Sequence, residues 1–518
     1  MKIINRIILH NFKRFDSFDT PLNQRLNIFI GDNESGKSSI LEAIDIVLSG
    51  SRSKVETIGI SNLLNKKAIL DFFDAGKHYE KLPKIIIEVY LDDSGNADLN
   101  GDNNLLGINS DGLSLICEPD IQFSKDIKAV LEQEGKNFPY EFYSISFKTF
   151  ADRSYSGFNK YFNHILLDNS QISNEYATRS YVKKLFHGNA DVANRSVLEN
   201  KYRSLKQHFQ RDILCELNKG LPYQFALQSN SKSNLETDIT ITEDDIEIEN
   251  RGKGRQCFIK TDFALNKSKF ELDTILLEEP ENHLSHNYTL QLIDRIKEAG
   301  DKQVIIASHS NMIAARLGLR ECIMLNSSGT SSIRLNDINE SSSRFFMKAP
   351  DNNVLQFVMS PRVVLVEGDA EFILMELFFK RLTNYEPHQR NVHIISAGGK
   401  TFKRYLDLAR FLDIKVAVIT DNDGSYDKYI DHNYSDYASD KWLISADKND
   451  ELYTFEVSLY HENKAICDAL FGPGRTKLTV LEYMLQNKAE CAFRLLEEKA
   501  NELAIPSYIQ EAIAWISD

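Results

Sequence analysis

The 518-residue chain has no apolar run near the roughly 20 residues needed to cross a bilayer. Its first residues, MKIINRIILHNFKRF, alternate instead of forming the apolar core of a signal peptide. Both absences predict a cytoplasmic protein with no membrane partner. The six cysteines (Cys117, Cys215, Cys257, Cys322, Cys467 and Cys491) are scattered, without a CxxC pair or a histidine at zinc spacing. That excludes a disulfide scaffold and a structural zinc module, and predicts reduced thiols. No internal repeat is present, and no heptad run is long enough for a coiled-coil arm. A net charge of −14 argues against a general nucleic-acid coat. It does not argue against a metal-dependent enzyme on nucleic acid, because metal-binding carboxylates are acidic and DNA contact needs only a local basic surface.

What is present is an α/β pattern long enough for two or three domains. Leu26 to Ile30 reads as a strand, Gly31 to Ser38 as a loop, and apolar residues at Ile40, Leu41, Ala43, Ile44, Val47 and Leu48 as a helix. Residues 51–80 read as polar and loop-like, and Lys84 to Leu91 as a strong strand. Residues 92–112 read as a long exposed excursion, 151–222 as an inserted helical subdomain, and Ile239 to Ile248 as a hairpin. Thr274–Leu277, Val304–Ala307, Val363–Val366 and Val416–Thr420 read as buried strands.

Gly31-Asp32-Asn33-Glu34-Ser35-Gly36-Lys37-Ser38 fits GxxxxGK[ST] between a strand and a helix, the context that makes a phosphate loop. Its backbone amides and the helix N-terminus form an anion cradle. Lys37 would reach the β- and γ-phosphates and Ser38 would ligate Mg²⁺; Gly31, Asn33, Gly36 and Ser39 complete the expected ATP-binding set. The run Ile275-Leu276-Leu277-Glu278-Glu279 supplies carboxylates at a strand end. Glu278 is expected to hold the Mg²⁺ shell and Glu279 to polarise the attacking water. Asp is usual at the first of these positions, and Glu278 is one methylene longer, so ATP binding is a firmer expectation than brisk hydrolysis. His309, about 30 residues on in Ala307-Ser308-His309-Ser310, is placed to contact the γ-phosphate.

A second acidic group follows. Val363 to Val366 leads into Glu367-Gly368-Asp369-Ala370-Glu371, and Val416 to Thr420 leads into Asp421-Asn422-Asp423. A helix starting at Asp369 puts Glu367 and Glu371 one turn apart, and parallel strands place both acidic ends on one sheet edge. Carboxylates so gathered repel unless cations intervene, and hard oxygen donors select Mg²⁺ or Mn²⁺. Ile394 to Lys400 reads as a strand with a Gly-Gly-Lys turn, flanked by Lys403 and Arg404. Glu456 and Lys488 are the later candidates.

The Asn33 variant of the loop, EEPENHL and ASHS resemble the structural-maintenance and RecF branch of ABC ATPases, though the missing arms set the chain apart from chromosome-structuring members. Asn250 to Gln256 resembles the ABC signature loop. There Gly252 and Gly254 would cap the nucleotide of a second subunit, implying at least a homodimer. Lys13 and Arg14 match basic phosphate-contacting positions of that branch, or form a solvated turn. VEGDAE and DND resemble the Toprim fold of topoisomerases, primases and nucleases. With the late Lys and IPSYI, the order resembles the OLD (overcoming lysogenization defect) nuclease family.

That resemblance implies an ABC-type ATPase domain at 1–345 with the 151–222 insertion as a dimerisation element, a linker at 346–360 and a Toprim domain at 361–518. It implies DNA as substrate, ATP and Mg²⁺ or Mn²⁺ as cofactors, and a homodimer or higher even oligomer. Glu367, Glu371, Asp421, Asp423 and Glu456 would serve two metal sites, with Glu367 as general acid or base and Lys488 near the scissile phosphate. Anti-phage defence, beside a partner protein encoded nearby, is the implied role. A RecF-like DNA clamp without nuclease activity is the alternative. A topoisomerase or primase is disfavoured because no strand-passage Tyr motif or primase zinc module is present.

Overall fold

The helix Lys37–Ser49 buries Ile40, Leu41, Ala43, Ile44, Ile46, Val47 and Leu48. A helix apolar on nearly every side needs cover on every side. A computed structural model, describing residues 2–169, 182–183, 186, 190, 192–219, 223–228, 233–265, 272–300, 302–325, 332–349, 353–474 and 476–518, shows where that cover comes from. The helix packs against an antiparallel sheet through Ile85–Leu91 and Ser110–Pro119, and against a parallel sheet through His164–Asp168, Thr274–Glu278 and Gln303–Ala307. One hydrophobic cluster joins all three layers.

The antiparallel sheet pairs Ile4–Phe12 with Phe15–Pro21 and Ile85–Leu91, and continues to Ser110–Pro119 and Tyr143–Thr149. In the parallel sheet the order is Cys322–Leu325, Leu26–Ile30, Gln303–Ala307, Thr274–Glu278, His164–Asp168. Thr274–Glu278, Gln303–Ala307 and Cys322–Leu325 are near-continuous apolar runs, as strands covered on both faces require. The sheet's register sets Glu278 opposite both Ala307 and Asp168, so the acidic ends and the phosphate loop share one edge.

The chain forms two compact units, the first Met1–His309 with Glu321–Ser332 and the second Ser310–Arg320 with Ile333–Asp518. The second unit is built on four parallel strands in the order Val392–Ser396, Arg362–Val366, Lys415–Ile419, Trp442–Ser445. On one face Val364, Val366, Ala417 and Ile419 meet Leu374 and Phe378 of helix Asp369–Thr383 and Ile509 and Ile513 of helix Ser507–Ser517. The alternate residues serve the other face. There Tyr405 of helix Phe402–Leu412 stacks edge-on with Phe346 and Phe357, ring centroids 5.0 Å apart in each pair.

Several expectations change. Residues 51–80 are not a loop: they form helices Arg52–Ile58, Ile60–Leu63 and Lys66–Asp74, capped by Ser51 and Asn65. Their buried residues are sparse (Val55, Leu63, Ile69, Phe72), so the polar faces hide the helical period. The 92–112 excursion is folded: Asn100–Gly101 pairs with Ser110 and Asp111, and buried Asp111 accepts from Ser94 and Asn100. The 151–222 stretch is not wholly an insertion, because His164–Asp168 belongs to the parallel sheet; helix Val192–Phe209 lies within it, and much of 170–191 falls outside the described residues. The expected linker at 346–360 carries helix Val354–Met359, with Val354, Leu355, Phe357 and Val358 buried.

Phe378 is fully buried in the second unit's core. Phe378→Ala is expected to destabilise that unit by about 3–5 kcal/mol, measured by chemical denaturation. A loss under about 1 kcal/mol would contradict this packing.

Candidate functional site

In the first unit the phosphate loop is shaped by close approach. Gly36 has φ 100°, and a Cβ there would sit 2.4 Å from the Phe15 ring and 2.8 Å from Arg14 Cδ. Lys37 is buried, and its Nζ donates to the carbonyls of Gly31 (2.8 Å) and Asp32 (3.0 Å). Burial lowers its pKa, opposed by Glu279, Asp32, Glu281 and Glu278. Asn33 is exposed in the loop and Ser39 half-buried on the following helix.

Ser38 stands beside Glu278, whose pKa burial raises, Ser38 lowers, and the charges of Asp168 and Glu42 raise further. This pairing brings together the two residues expected to hold Mg²⁺. Glu279 has φ 44°, and its carboxylate is 3.3 Å from His309 Nε2. Burial and the neighbouring Glu281 push its pKa up. His309 Nδ1 lies 3.4 Å from Lys37 Nζ. A lysine only donates, so Nδ1 accepts and Nε2–H points to Glu279. Burial, then Lys37, lowers the pKa of His309 and keeps it neutral in this arrangement.

Glu281 was missed from the sequence. Its Oε1 accepts from Ser308 Oγ (2.5 Å) and the His309 amide (3.2 Å), fixing the loop that carries His309. The third carboxylate of EEPEN was the available signal. Asp168 was also missed, because its strand was hidden in a polar stretch. Lys13 forms an ion pair with Glu42, and Arg14 lies against Gly36. Gly252 is exposed with open space around it, before helix Lys253–Leu265. Gly254 has a packing reason within the chain: a Cβ would sit 2.3 Å from the His283 carbonyl. Arg255 anchors the helix start to Glu243.

In the second unit, Val366 pairs with Ile419 in parallel register, so Glu367 and Asp421 leave adjacent strands at one edge. Helix Asp369–Thr383 begins where expected and brings Glu371 back toward them, with its side chain buried. Glu371 is pushed up to about 7 by burial, then by Asp421, Glu456 and Glu367. Asp421 is pushed up to about 6 by burial, then by Glu367 and Glu456, against a hydrogen bond from the Phe455 amide. Glu456 is only 2% exposed. Lys488 Nζ approaches Glu456 Oε2 to 2.9 Å, off the hydrogen-bonding direction. Burial lowers the Lys488 pKa, but Glu456, Asp421 and Glu371 together raise it on balance.

Five of the expected residues are thus brought together: Glu367, Glu371, Asp421, Glu456 and Lys488. Asp423 is set apart, exposed, with φ 49° and an ion pair to Lys400. Asn422 pins the DND turn by donating to the carbonyls of Asp447 (2.7 Å) and Asn449 (3.0 Å). Tyr508 was not singled out as a site residue. Its phenol is fully buried, and its pKa is held far up by burial and then by Asp421, Glu371, Asp447 and Glu456.

Among the described residues no preformed metal cluster of three or more His, Cys, Asp or Glu is present. The donor chemistry nevertheless suits a hard divalent cation. Glu367 Oε2 and Glu456 Oε1 are buried with no hydrogen-bond donor, and Glu456 Oε2 has only the Lys488 ammonium beside it, a condition that a divalent cation would relieve.

These two sites define a P-loop ATPase joined to a unit with acidic ends on adjacent parallel strands. The chain belongs to the AAA ATPase domain family, which residues 1–314 match. Residues 359–423 match the TOPRIM domain of overcoming lysogenization defect protein-like chains, so both halves of the resemblance to the OLD family are present. DNA replication and repair protein RecF of Glaesserella parasuis serovar 5 is 34% identical over 103 residues, 20% of this chain and 28% of that one. The chain therefore spans well under two thirds of that curated relative. The Smc head domain bound to the C-terminal domain of ScpA, from Pyrococcus furiosus, is 15% identical with TM-score 0.35, covering 67% of this chain and 100% of that one. The C-terminal region of the Burkholderia pseudomallei OLD protein is 18% identical with TM-score 0.24, covering 31% and 98%.

The raised pKa values carry a sign. Glu371 (about 7) and Asp421 (about 6) hold protons in the folded chain that they release when unfolded, where they titrate near 4.5 and 3.8. The native state binds more protons, so the stability of chelated protein falls as pH rises through that window. Glu371→Gln is expected to raise the unfolding temperature in chelator at about pH 8 and to leave it unchanged at about pH 4. A destabilised variant at the higher pH would contradict mutual repulsion in this group.

Proposed function

We propose that the chain is a divalent-metal-dependent DNA endonuclease, nicking or cleaving, whose access to DNA is controlled by ATP in the first unit. The observation that supports this most is the gathering of Glu367, Glu371, Asp421 and Glu456 beside Lys488, with buried carboxylate oxygens that have no hydrogen-bond donor. In this reading Glu371, Asp421 and Glu456 hold Mg²⁺ or Mn²⁺ with Glu367, and Asp423 joins once Lys400 is drawn to a phosphate. Metal bound there would supply Lewis-acid stabilisation of charge on the phosphate and a more acidic water. Glu367 takes or returns the proton at the sheet edge, and Lys488 offsets charge on the phosphate.

In the ATPase, Ser38 and Glu278 would hold Mg²⁺, Lys37 would leave its loop carbonyls for the phosphates, and Glu279 would orient water. His309 touches both Lys37 and Glu279, so it is the group through which a γ-phosphate would be registered. Gly252 and Gly254 would cap the nucleotide of a second subunit. Exposed Val197, Leu198, Leu205 and Phe209 on helix Val192–Phe209 support self-association. Cytoplasmic anti-phage defence, with a partner encoded nearby, completes the proposal. Among the described residues no helix is long and apolar enough to cross a membrane.

The RecF similarity favours one other reading, a clamp that retains DNA with ATP and breaks no strand. Supercoiled plasmid incubated with full-length protein and Mn²⁺ or Mg²⁺ separates the two. Nicking is expected, reduced at least about a hundredfold by Asp421→Ala, since even outer partners of metal ligands cost about 10–100-fold. Undiminished cutting by that variant would reject the site, and no cutting by the wild type under either metal would favour the clamp.

A further inference from the structure

Beside Asp421 the second unit opens a cavity of about 450 Å³, within the roughly 300–1,000 Å³ of small-ligand sites. Its lining is basic and aromatic on one side and acidic on the other. Lys403 and Arg404 stand on the first turn of helix Phe402–Leu412 and are bonded only to neutral groups in the pairs seen. Lys403 Nζ donates to Asn433 Oδ1 at 2.8 Å, and Arg404 donates to the hydroxyls of Ser341 (2.5 Å) and Ser342 (3.2 Å). Among the described residues neither cation has a carboxylate in an ion pair, and both line the cavity opposite Asp421 and Asp423. Lys400 adds a third ammonium, tied to Asp423.

Aromatic rings alternate with these cations. Lys400 and Lys428 lie over the Tyr429 ring at 5.9 and 4.7 Å, and Lys403 over Tyr434 at 5.6 Å. Arg410 lies over Tyr437 at 5.4 Å and over Trp442 at 5.3 Å. Tyr434, Tyr437 and Trp442 follow one another with ring centroids 6.4 Å apart at each step. Tyr429 rides on a π-helical turn, Asp427–His432, a geometry often kept where a side chain must be aimed at a ligand. Asp407 accepts from the Tyr437 hydroxyl (3.0 Å) and from Ser342 (3.1 Å), which orients the Tyr437 ring within the row.

Cations alternating with aromatic rings match an unpaired strand, whose bases are free to stack, better than a duplex, whose bases are shielded. We infer that this cavity and the row running from Tyr429 to Trp442 bind single-stranded DNA and lead it to Asp421. Lys400, Lys403 and Arg404 take the phosphates and the half-buried Tyr429 takes a base, while Tyr434, buried beneath Lys403, holds that cation in place. Frayed, flapped or melted DNA is then the preferred substrate. The inference rests on the nuclease reading for where the strand leads, and not for its binding.

Anisotropy with full-length protein in chelator, using a labelled strand of about ten nucleotides, tests binding without cleavage. The single strand is expected to bind more tightly than its duplex. Tyr429→Ala should weaken the single strand about tenfold with little effect on duplex, and Tyr429→Phe should restore it. Lys403→Ala should lower affinity and flatten its salt dependence. Equal losses on strand and duplex, equal behaviour of the Ala and Phe variants, or tighter binding of an RNA strand would overturn the assignment. Absence of plasmid nicking alongside these binding results would reject the nuclease reading and leave this one standing.

Discussion

Four carboxylates held at one end of a parallel sheet, largely out of water, set the terms for the second unit. Glu367 and Asp421 are forced together because their strands pair in parallel and stop at the same level. Those strands are buried on both faces, with Val363, Val364, Leu365, Val416, Ala417 and Val418 fully inaccessible. The sheet therefore cannot shift register to relieve the charge without exposing its core. Helix Asp369–Thr383 is locked by Leu374, Met375, Phe378 and Phe379, which holds Glu371 in place, and the Phe455 amide and Asn422 fix the Asp421 loop. Packing supplies the stability that the acidic edge consumes, as in other sites where strain and function coincide.

The first unit meets the same problem with partners drawn from the loop, the helix and the neighbouring strand end. Glu278 is eased by Ser38, and Glu279 by His309, which in turn meets Lys37. Lys37 is held by loop carbonyls, hydrogen bonds that phosphate oxygens of greater charge can outcompete. A chain of contacts runs from Lys37 through His309 to Glu279. Glu281 keeps those contacts short by fixing Ser308 and the His309 amide.

Much of this was legible in sequence because the relevant strands are unbroken apolar runs ending in acids. Thr274–Glu278, Arg362–Val366 and Lys415–Ile419 all announced themselves that way, and Leu26–Ile30 by leading into the phosphate loop. The P-loop helix was equally plain, since its apolar spacing follows directly on GKS. What stayed hidden was polar structure. Helix Lys66–Asp74 buries only Ile69 and Phe72, and strand His164–Asp168 alternates within a stretch of Tyr and Asn. The separation of Asp423 from the other acids depends on its positive φ and on Lys400, twenty-three residues away in sequence, and no local pattern encodes that. Glu456 and Lys488 sit in degenerate contexts, and only the fold brings them to 2.9 Å.

Direct cation binding tests the central claim, that these buried carboxylates need a divalent ion. Full-length protein without nucleotide should bind Mn²⁺ saturably by electron paramagnetic resonance. Glu456→Gln should weaken that binding sharply, because it removes the most deeply buried of the charged ligands. No saturable binding, or an unchanged affinity in Glu456→Gln, would contradict the account.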